Sequence, residues 1–80
     1  MLTVYSKDGC SQCQTVVKIL EMRGIVHEVK KLDTDYTMEQ LTEAYSPAPA
    51  PRAFPVVMLD GSLVGGLRET QLAIASGKIA

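Results

Sequence analysis

The two cysteines of this 80-residue chain stand three positions apart, in the stretch Cys10-Ser11-Gln12-Cys13. Residues at positions i and i+3 of a helix share one face, and their Cβ atoms are close enough for a disulfide bond. Three kinds of chemistry use such a pair: a dithiol–disulfide redox couple, part of a metal site, and a structural disulfide. The rest of the sequence helps to decide which of these three kinds of chemistry applies.

The chain has too few candidate ligands for a structural metal site of its own. A structural zinc site takes about four, and the chain supplies two cysteines and one histidine, His27, at no ligand-like spacing. We expect His27 to be a partly exposed strand residue, and no metal to be bound by one chain alone. A metal ion or iron–sulfur cluster that two chains share through Cys10 remains an alternative, and bound metal or visible absorbance in protein purified without air would support it.

Composition narrows the choice further. With 46% hydrophobic and 21% charged residues, the sequence is typical of one globular domain spanning residues 1–80. A net charge of −1 without a block of like charges argues against a nucleic-acid surface. The apolar stretches are too short for a membrane span, and the first residues lack a signal-peptide hydrophobic region. We therefore expect a cytoplasmic monomer, a setting that disfavours a structural disulfide.

The first half of the sequence predicts a strand, a helix and a second strand. Residues 2–5 alternate and are rich in β-forming side chains. Apolar residues from Cys13 to Leu20 recur at helical spacing, and Gly24 suits a C-terminal cap, which predicts a helix over residues 11–23. Residues 25–31 are expected to form the second strand.

The second half predicts two more helices and a hairpin. Thr37 and Gln40 have the spacing of a capping box, opening a short helix that must end before Pro47. The proline-rich residues 46–51 are interpreted as a connector, with a partner-docking loop as the alternative. A buried strand over residues 55–59, a turn, a last strand and a helix over residues 67–76 complete the order β-α-β-α-β-β-α. This order predicts an α/β fold with a four-stranded mixed sheet and helices on both faces.

The place of the cysteine pair between a strand and a helix favours redox chemistry. Cys10 lies at the predicted N-terminus of the helix, where unpaired N–H groups and the positive end of the helix dipole favour an anion. The pKa of its thiol should therefore fall below that of a free cysteine, and Lys7 nearby could add to this effect. Cys13, one turn later, should be more buried. Cys10 is thus predicted to attack a substrate disulfide, and Cys13 to resolve the mixed disulfide.

Several motifs together resemble the glutaredoxin branch of the thioredoxin-fold redoxins, over nearly the whole chain. Tyr5-Ser6-Lys7 followed by the cysteine pair is similar to the family's first strand and active-site loop. Residues 53–57, Ala-Phe-Pro-Val-Val, resemble its Thr-Val-Pro segment, and residues 61–66 resemble its final hairpin and double glycine. Val4 stands where thioredoxins carry a buried carboxylate, which favours the shorter glutaredoxin-like branch.

The resemblance implies a thiol–disulfide oxidoreductase with Cys10 and Cys13 as catalytic residues. It implies that Pro55 is cis and presents the backbone of Phe54 to an extended cysteinyl substrate, and that the double glycine brings N–H groups close to a carboxylate. The substrate groove that it implies consists of the following residues: Lys7, Gln12, Phe54, Pro55, Gly65, Gly66, Leu67 and Arg68.

Three departures from the family pattern bear on the reductant and the client. Ser11-Gln12 replaces the common Pro-Tyr, and Ala53 replaces the usual Thr. Arg68 stands where glutathione-binding members carry an acidic residue, and its charge would repel the ammonium group of the tripeptide. Gln12 and Arg68 instead resemble the small redoxins that donate electrons to ribonucleotide reductase and are reduced by thioredoxin reductase. We expect that role and no tightly bound cofactor, with a glutathione-dependent glutaredoxin as the alternative.

Overall fold

The computed structural model describes residues 2–45 and 54–79. Within them the chain forms four strands and three helices in the predicted order: β1 (Leu2–Ser6), α1 (Ser11–Met22), β2 (His27–Lys31), α2 (Met38–Tyr45), β3 (Val56–Leu59), β4 (Ser62–Gly65) and α3 (Leu67–Ala75). The predicted proline-rich segment of residues 46–51, together with Ala53, lies outside the described residues.

The strands form one mixed sheet in the order β2-β1-β3-β4. β1 runs parallel to β2 and antiparallel to β3, and β3 pairs with β4 as an antiparallel hairpin. The parallel β1–β2 pair follows from the helix between them, because a crossover returns the chain in the same direction. The redox motif therefore lies in the first crossover, between the end of β1 and the start of α1.

Two apolar clusters cover the two faces of the sheet, as the alternation of strand side chains requires. On one face α1 and α3 pack together against the sheet, and this cluster comprises Leu2, Val4, Val16, Leu20, Ile25, Val57, Ala73 and Ile79. The other face is covered by Leu41 of α2 and by Tyr36, packed against Val56 and Met58. β3 contributes to both clusters, which confirms the prediction of a strand buried on both faces.

β2 is shorter than predicted and forms an edge of the sheet. It begins at His27 and not at residue 25, because the N–H of Ile25 is still bonded to the carbonyl of Leu20 at the end of α1, at 3.0 Å. Ile25 is buried in the first cluster, whereas Val26 is 76% exposed. Ile25 thus packs into the core just before the strand starts, and the outer part of β2 remains exposed to solvent.

Candidate redox-active site

Cys10 is the N-cap residue of α1, and Cys13 lies in the first turn of that helix. The two form a disulfide bond with a Cα–Cα distance of 5.3 Å. Cys10 has extended backbone angles and is half-buried, whereas Cys13 is only 3% exposed. The predicted asymmetry in burial is therefore present: one sulfur faces the surface and the other lies behind it.

The N-terminus of α1 donates to the outer sulfur. The N–H of Cys13 points to Sγ of Cys10 at 3.1 Å, so the sulfur occupies the position that an Asp or Ser oxygen takes in an ordinary N-cap. After reduction, a thiolate at this place would accept the same N–H and lie at the positive end of the helix dipole. We therefore expect the pKa of the Cys10 thiol to lie below that of a free cysteine in the reduced protein.

The strand that leads into the site is fixed by a tyrosine that sequence reasoning missed. The carbonyl of Ser6, at the end of β1, accepts hydrogen bonds from the Tyr36 hydroxyl at 2.7 Å and from the N–H of Leu32 at 2.9 Å. Tyr36 is buried and meets the ring of Tyr5 edge-on, with 5.0 Å between the centroids. Burial, followed by the neighbouring Tyr5 and Asp33, raises the pKa of Tyr36 to about 12. The residue therefore remains a neutral donor at physiological pH.

The one acidic residue in the loop before Cys10 is neutralised. Asp8 pairs with the ammonium group of Lys31 at 2.7 Å, across from the end of β2. This hydrogen bond and the charge of Asp8 raise the pKa of Lys31. Because the carboxylate has a cation beside it, its field opposes a thiolate at Cys10 less than a bare charge would.

Lys7 connects the cysteine loop to the proline segment. The ammonium group of Lys7 lies 5.2 Å from the centroid of the Phe54 ring, in a cation–π arrangement, and Lys7 borders a groove that also contains both cysteines. The Phe54–Pro55 peptide bond is cis, as the resemblance implied, and Pro55 is fully buried. The structure thus brings Lys7, Phe54 and the cysteine loop together.

The double glycine is occupied by the chain's own carboxylate. Gly66 is the N-cap of α3, and its N–H donates to Oε1 of Glu69 at 2.8 Å. This is one half of a capping box, since glycine has no side chain for the other half. Gly65 has φ +129°, and a Cβ atom there would lie 2.7 Å from Cβ and Cγ of Glu69, so only glycine allows this close approach. The Gly-x-x-Glu spacing in the sequence could have revealed this contact.

The remaining predicted groove residues have different surroundings. Leu67, the first residue of α3, packs its side chain against the first core cluster. Arg68 and Gln12 are both exposed, on the first turns of α3 and α1. Within the described residues Gln12 forms no hydrogen bond with the other predicted groove residues, and its place in the groove remains a prediction.

Residues 2–45 and 54–79 contain no cluster of three or more His, Cys, Asp or Glu side chains that could hold a metal ion. In the same part of the chain, none of the helices has the length and apolar character needed to cross a bilayer.

The family model for glutaredoxin matches residues 2–64 of the sequence. The chain belongs to the glutaredoxin family. Members of this family are thiol–disulfide oxidoreductases, and the disulfide between Cys10 and Cys13 is the redox pair that such chemistry requires. Both the family and the enzyme class were predicted from the sequence, and both are confirmed.

Individual family members cover almost the whole chain. Glutaredoxin-C6 of Oryza sativa subsp. japonica is 30% identical over 98% of this chain and 70% of its own length. A wheat glutaredoxin structure superimposes with a TM-score of 0.74 at 27% identity, covering 96% of this chain and 74% of that one. A buckwheat glutaredoxin, solved as a glutathione complex, gives 0.73 at 25% identity, covering 96% and 70%. These likenesses confirm the predicted thioredoxin-like fold.

Proposed function

We propose that the chain reduces disulfide bonds of client proteins, with Cys10 as the nucleophile and Cys13 as the resolving thiol. The observation that carries this proposal is the asymmetry of the pair. The half-buried Cys10 sulfur accepts the N–H of Cys13 at 3.1 Å at the start of α1, while Cys13 is buried behind it. A thiolate that is both accessible and stabilised is the group that attacks first, and a buried thiol one turn away is placed to follow.

The chemistry runs in two exchanges. The Cys10 thiolate attacks one sulfur of the client disulfide, and the other client sulfur leaves as a thiolate. The Cys13 thiolate then attacks Sγ of Cys10, and the second client sulfur leaves. The client gains two electrons and the protein is left with the Cys10–Cys13 disulfide, which a separate reductant must reduce.

For the client and the reductant, we propose ribonucleotide reductase and thioredoxin reductase. Arg68 supports this choice, because it is exposed and makes no ion pair within the described residues, at the first turn of α3. Its free positive charge would repel the ammonium group of glutathione. The adjacent acidic residue, Glu69, is taken up by Gly66 and does not replace the missing carboxylate. A cytoplasmic location fits this role, since the cytosol supplies both enzymes.

A glutathione-dependent glutaredoxin is the second candidate. It is favoured by the buckwheat relative, which is seen with glutathione. Helix geometry also leaves the first N–H groups of α3, at Leu67 and Arg68, without partners inside the helix, and such groups attract a carboxylate. The two candidates share the cysteine chemistry and differ in what reduces the oxidised pair.

The deciding experiment compares reductants on the oxidised protein: NADPH with thioredoxin reductase in one arm, and glutathione in the other. We expect the thioredoxin reductase arm to reduce the Cys10–Cys13 disulfide faster. Arg68→Asp should increase the rate with glutathione several-fold, whereas Lys78→Asp makes the same charge change on an exposed residue beyond α3 and should not. Faster reduction by glutathione in the unmodified protein would contradict the proposed reductant. If the protein, with its dithiol intact, failed to donate electrons to a matching ribonucleotide reductase, the proposed client would be wrong.

A further inference from the structure

A groove of about 300 Å³ runs from the cysteine pair along the side of α1. At one end it is bordered by Cys10 and Cys13, and farther along by Val17, Lys18 and Glu21 of α1 and by Val29 of β2. This groove lies on the β2 side of the helix. The double glycine and the start of α3, where a glutathione-like ligand is considered above, do not line it.

The groove exists because α1 does not cover the edge strand. Val29 is in register with Val4, so its side chain emerges on the same face of the sheet as the side chain of Val4. Val4 is fully buried beneath the helix, whereas Val29 is 41% exposed. The half-buried Val17 lies opposite it on α1. Together these two valines give the groove an apolar floor.

Two lysines line the groove, Lys7 near the disulfide and Lys18 farther along α1. Lys7 rests on the Phe54 ring, which orients its ammonium group without neutralising it. Lys18 is exposed, and neither lysine forms an ion pair within the described residues. Asp8, the carboxylate next to Lys7 in the chain, is engaged by Lys31. Glu21 is the acidic residue of the lining, and it lies one turn beyond Lys18, away from the cysteines.

We infer that this groove binds the client segment next to its reactive cysteine, and that it selects segments with a carboxylate at a set distance. The inference rests on the proposed function, since it needs a protein disulfide as the substrate. Lys18 follows Cys10 by eight residues, which is about 12 Å along a helix. An extended segment advances about 3.3 Å per residue. An acidic side chain roughly three to four residues from the client cysteine therefore reaches Lys18.

Glu21 sets the outer limit of this preference. An acidic residue farther along the segment would meet its carboxylate, and a basic residue there would be favoured. The apolar floor between Val17 and Val29 suits a small apolar side chain between the cysteine and the acidic residue. The selected client segment is therefore acidic near its cysteine, and not uniformly acidic.

The test uses the pre-reduced protein in a single turnover, so that the identity of the reductant does not matter. Two peptides each carry one cysteine as a mixed disulfide with thionitrobenzoate, and they differ only in a Glu or a Lys placed three residues from the cysteine on both sides. The Cys10 thiolate attacks the peptide sulfur, and thionitrobenzoate leaves as a thiolate because its thiol is the more acidic of the two. Cys13 then displaces the peptide thiolate, and the protein ends as the disulfide. The release of the chromophore measures the first step.

We expect the unmodified protein to react about three- to fivefold faster with the Glu peptide at low salt, the size expected of an exposed ion pair. The ratio should approach one at high ionic strength. Lys18→Glu should abolish or invert the preference. Lys78→Glu is the matched control, because it makes the same change in net charge beyond α3, away from the groove, and the preference should survive it.

Each other outcome has a definite meaning. If both peptides released thionitrobenzoate at equal rates, the proposed function would stand, but the proposed role of the groove in selecting clients would be wrong. If Lys18→Glu and Lys78→Glu weakened the preference equally, the preference would come from the net charge of the protein. The proposed role of the groove would then also be wrong. If neither peptide reacted with the pre-reduced protein, the proposed function would fail and the inference with it.

Discussion

The N-termini of α1 and α3 both begin at an N-cap residue with an extended backbone, and they have opposite uses. At α1, the N-cap sulfur of Cys10 accepts an N–H of the first turn at 3.1 Å. At α3, the N–H of the N-cap Gly66 is bound by the side chain of Glu69 from the same turn, at 2.8 Å. In both places a group of the chain itself interacts with the start of a helix. The group at α1 is chemically reactive, and the group at α3 is not.

One helix N-terminus of this fold thus serves reactivity, and another serves stability. The dipole and the free N–H groups of α1 are available to a thiolate, because no Asp or Glu lies in its first turn. At α3, Glu69 stabilises the helix start and also reduces what the double glycine can offer a ligand. The N-terminus of α1 therefore holds the reactive sulfur, whereas at the N-terminus of α3 the N–H of Gly66 is bonded within the chain.

The largest expected effect is at α1. Cys10→Ser should lower protein-disulfide reduction to the uncatalysed level, since the oxygen of serine does not replace the thiolate in exchange. Cys13→Ser makes the same atomic change one turn later and should leave the first attack intact, trapping a mixed disulfide with the client. Non-reducing electrophoresis followed by mass spectrometry would detect the adduct. An adduct in the Cys10→Ser protein, and none in the Cys13→Ser protein, would exchange the two roles.

At α3 we expect a loss of stability and a gain of ligand binding. Glu69→Ala removes the acceptor of the Gly66 N–H and should lower the free energy of unfolding by about 1 kcal/mol, measured by denaturant titration. Reduction of the oxidised protein by glutathione should become faster, because the N–H is then free. Glu39→Ala is the matched control, since Glu39 is also acidic and lies in the first turn of α2. An equal gain with glutathione in both variants would refute the special role of α3.

Tyr36→Phe tests the support behind α1 and has a defined pH dependence. At neutral pH it should cost about 1 kcal/mol or less, because the Ser6 carbonyl keeps its bond from the N–H of Leu32 at 2.9 Å. The folded pKa of Tyr36 is raised from 10.0 to about 12, so the folded state holds this proton more tightly than the unfolded state does. Its contribution is therefore complete below pH 10 and declines as the pH rises toward 12.

The measurement for this variant is the difference in unfolding free energy between the two proteins. It should shrink between about pH 10 and pH 12, because Phe does not titrate. Taking a difference also cancels the lysines that titrate in the same range. A difference that stays constant through this range would mean that Tyr36 is no more protected in the folded state than in the unfolded one.

The smallest expected effect concerns the loop charge. Lys31→Gln leaves Asp8 unpaired near Cys10, and the pKa of the Cys10 thiol should rise slightly, since a like charge opposes its ionisation. Lys30→Gln is the control, because Lys30 pairs with Glu28 instead. The pH dependence of alkylation by iodoacetamide would show the shift, and it should diminish with added salt. An unchanged profile for Lys31→Gln would make the Asp8–Lys31 pair irrelevant to the thiol.

Local sequence pattern predicted the elements and the place of the cysteines well. Helical spacing and Gly24 located α1 to within a residue at its C-terminal end, because these signals act within one element. The cis bond before Pro55 followed only from the family resemblance, since X-Pro bonds are about 5–6% cis in general. A Gly-x-x-Glu pattern was present at Gly66 and Glu69, but the double glycine was interpreted as a cradle for a ligand.

Contacts between distant residues were beyond the sequence pattern. Tyr36 reaches Ser6 across 30 positions, and Asp8 meets Lys31 only after β1 and β2 have paired. Lys7 was predicted beside Cys10, and its stacking on the Phe54 ring depends on the fold of the proline segment. The open groove at Val29 arises from the position of β2 at the sheet edge. No periodicity within β2 shows which neighbour it lacks.

The most direct test of the central claim is the pKa of each thiol in the reduced protein. It would be read from the pH dependence of alkylation, for Cys10 in the Cys13→Ser variant and for Cys13 in the Cys10→Ser variant. We predict a value clearly below about 8.5, that of a free thiol, for Cys10, and a higher value for the buried Cys13. Equal values, or a lower value for Cys13, would contradict the assignment of the α1 N-terminus to thiolate stabilisation.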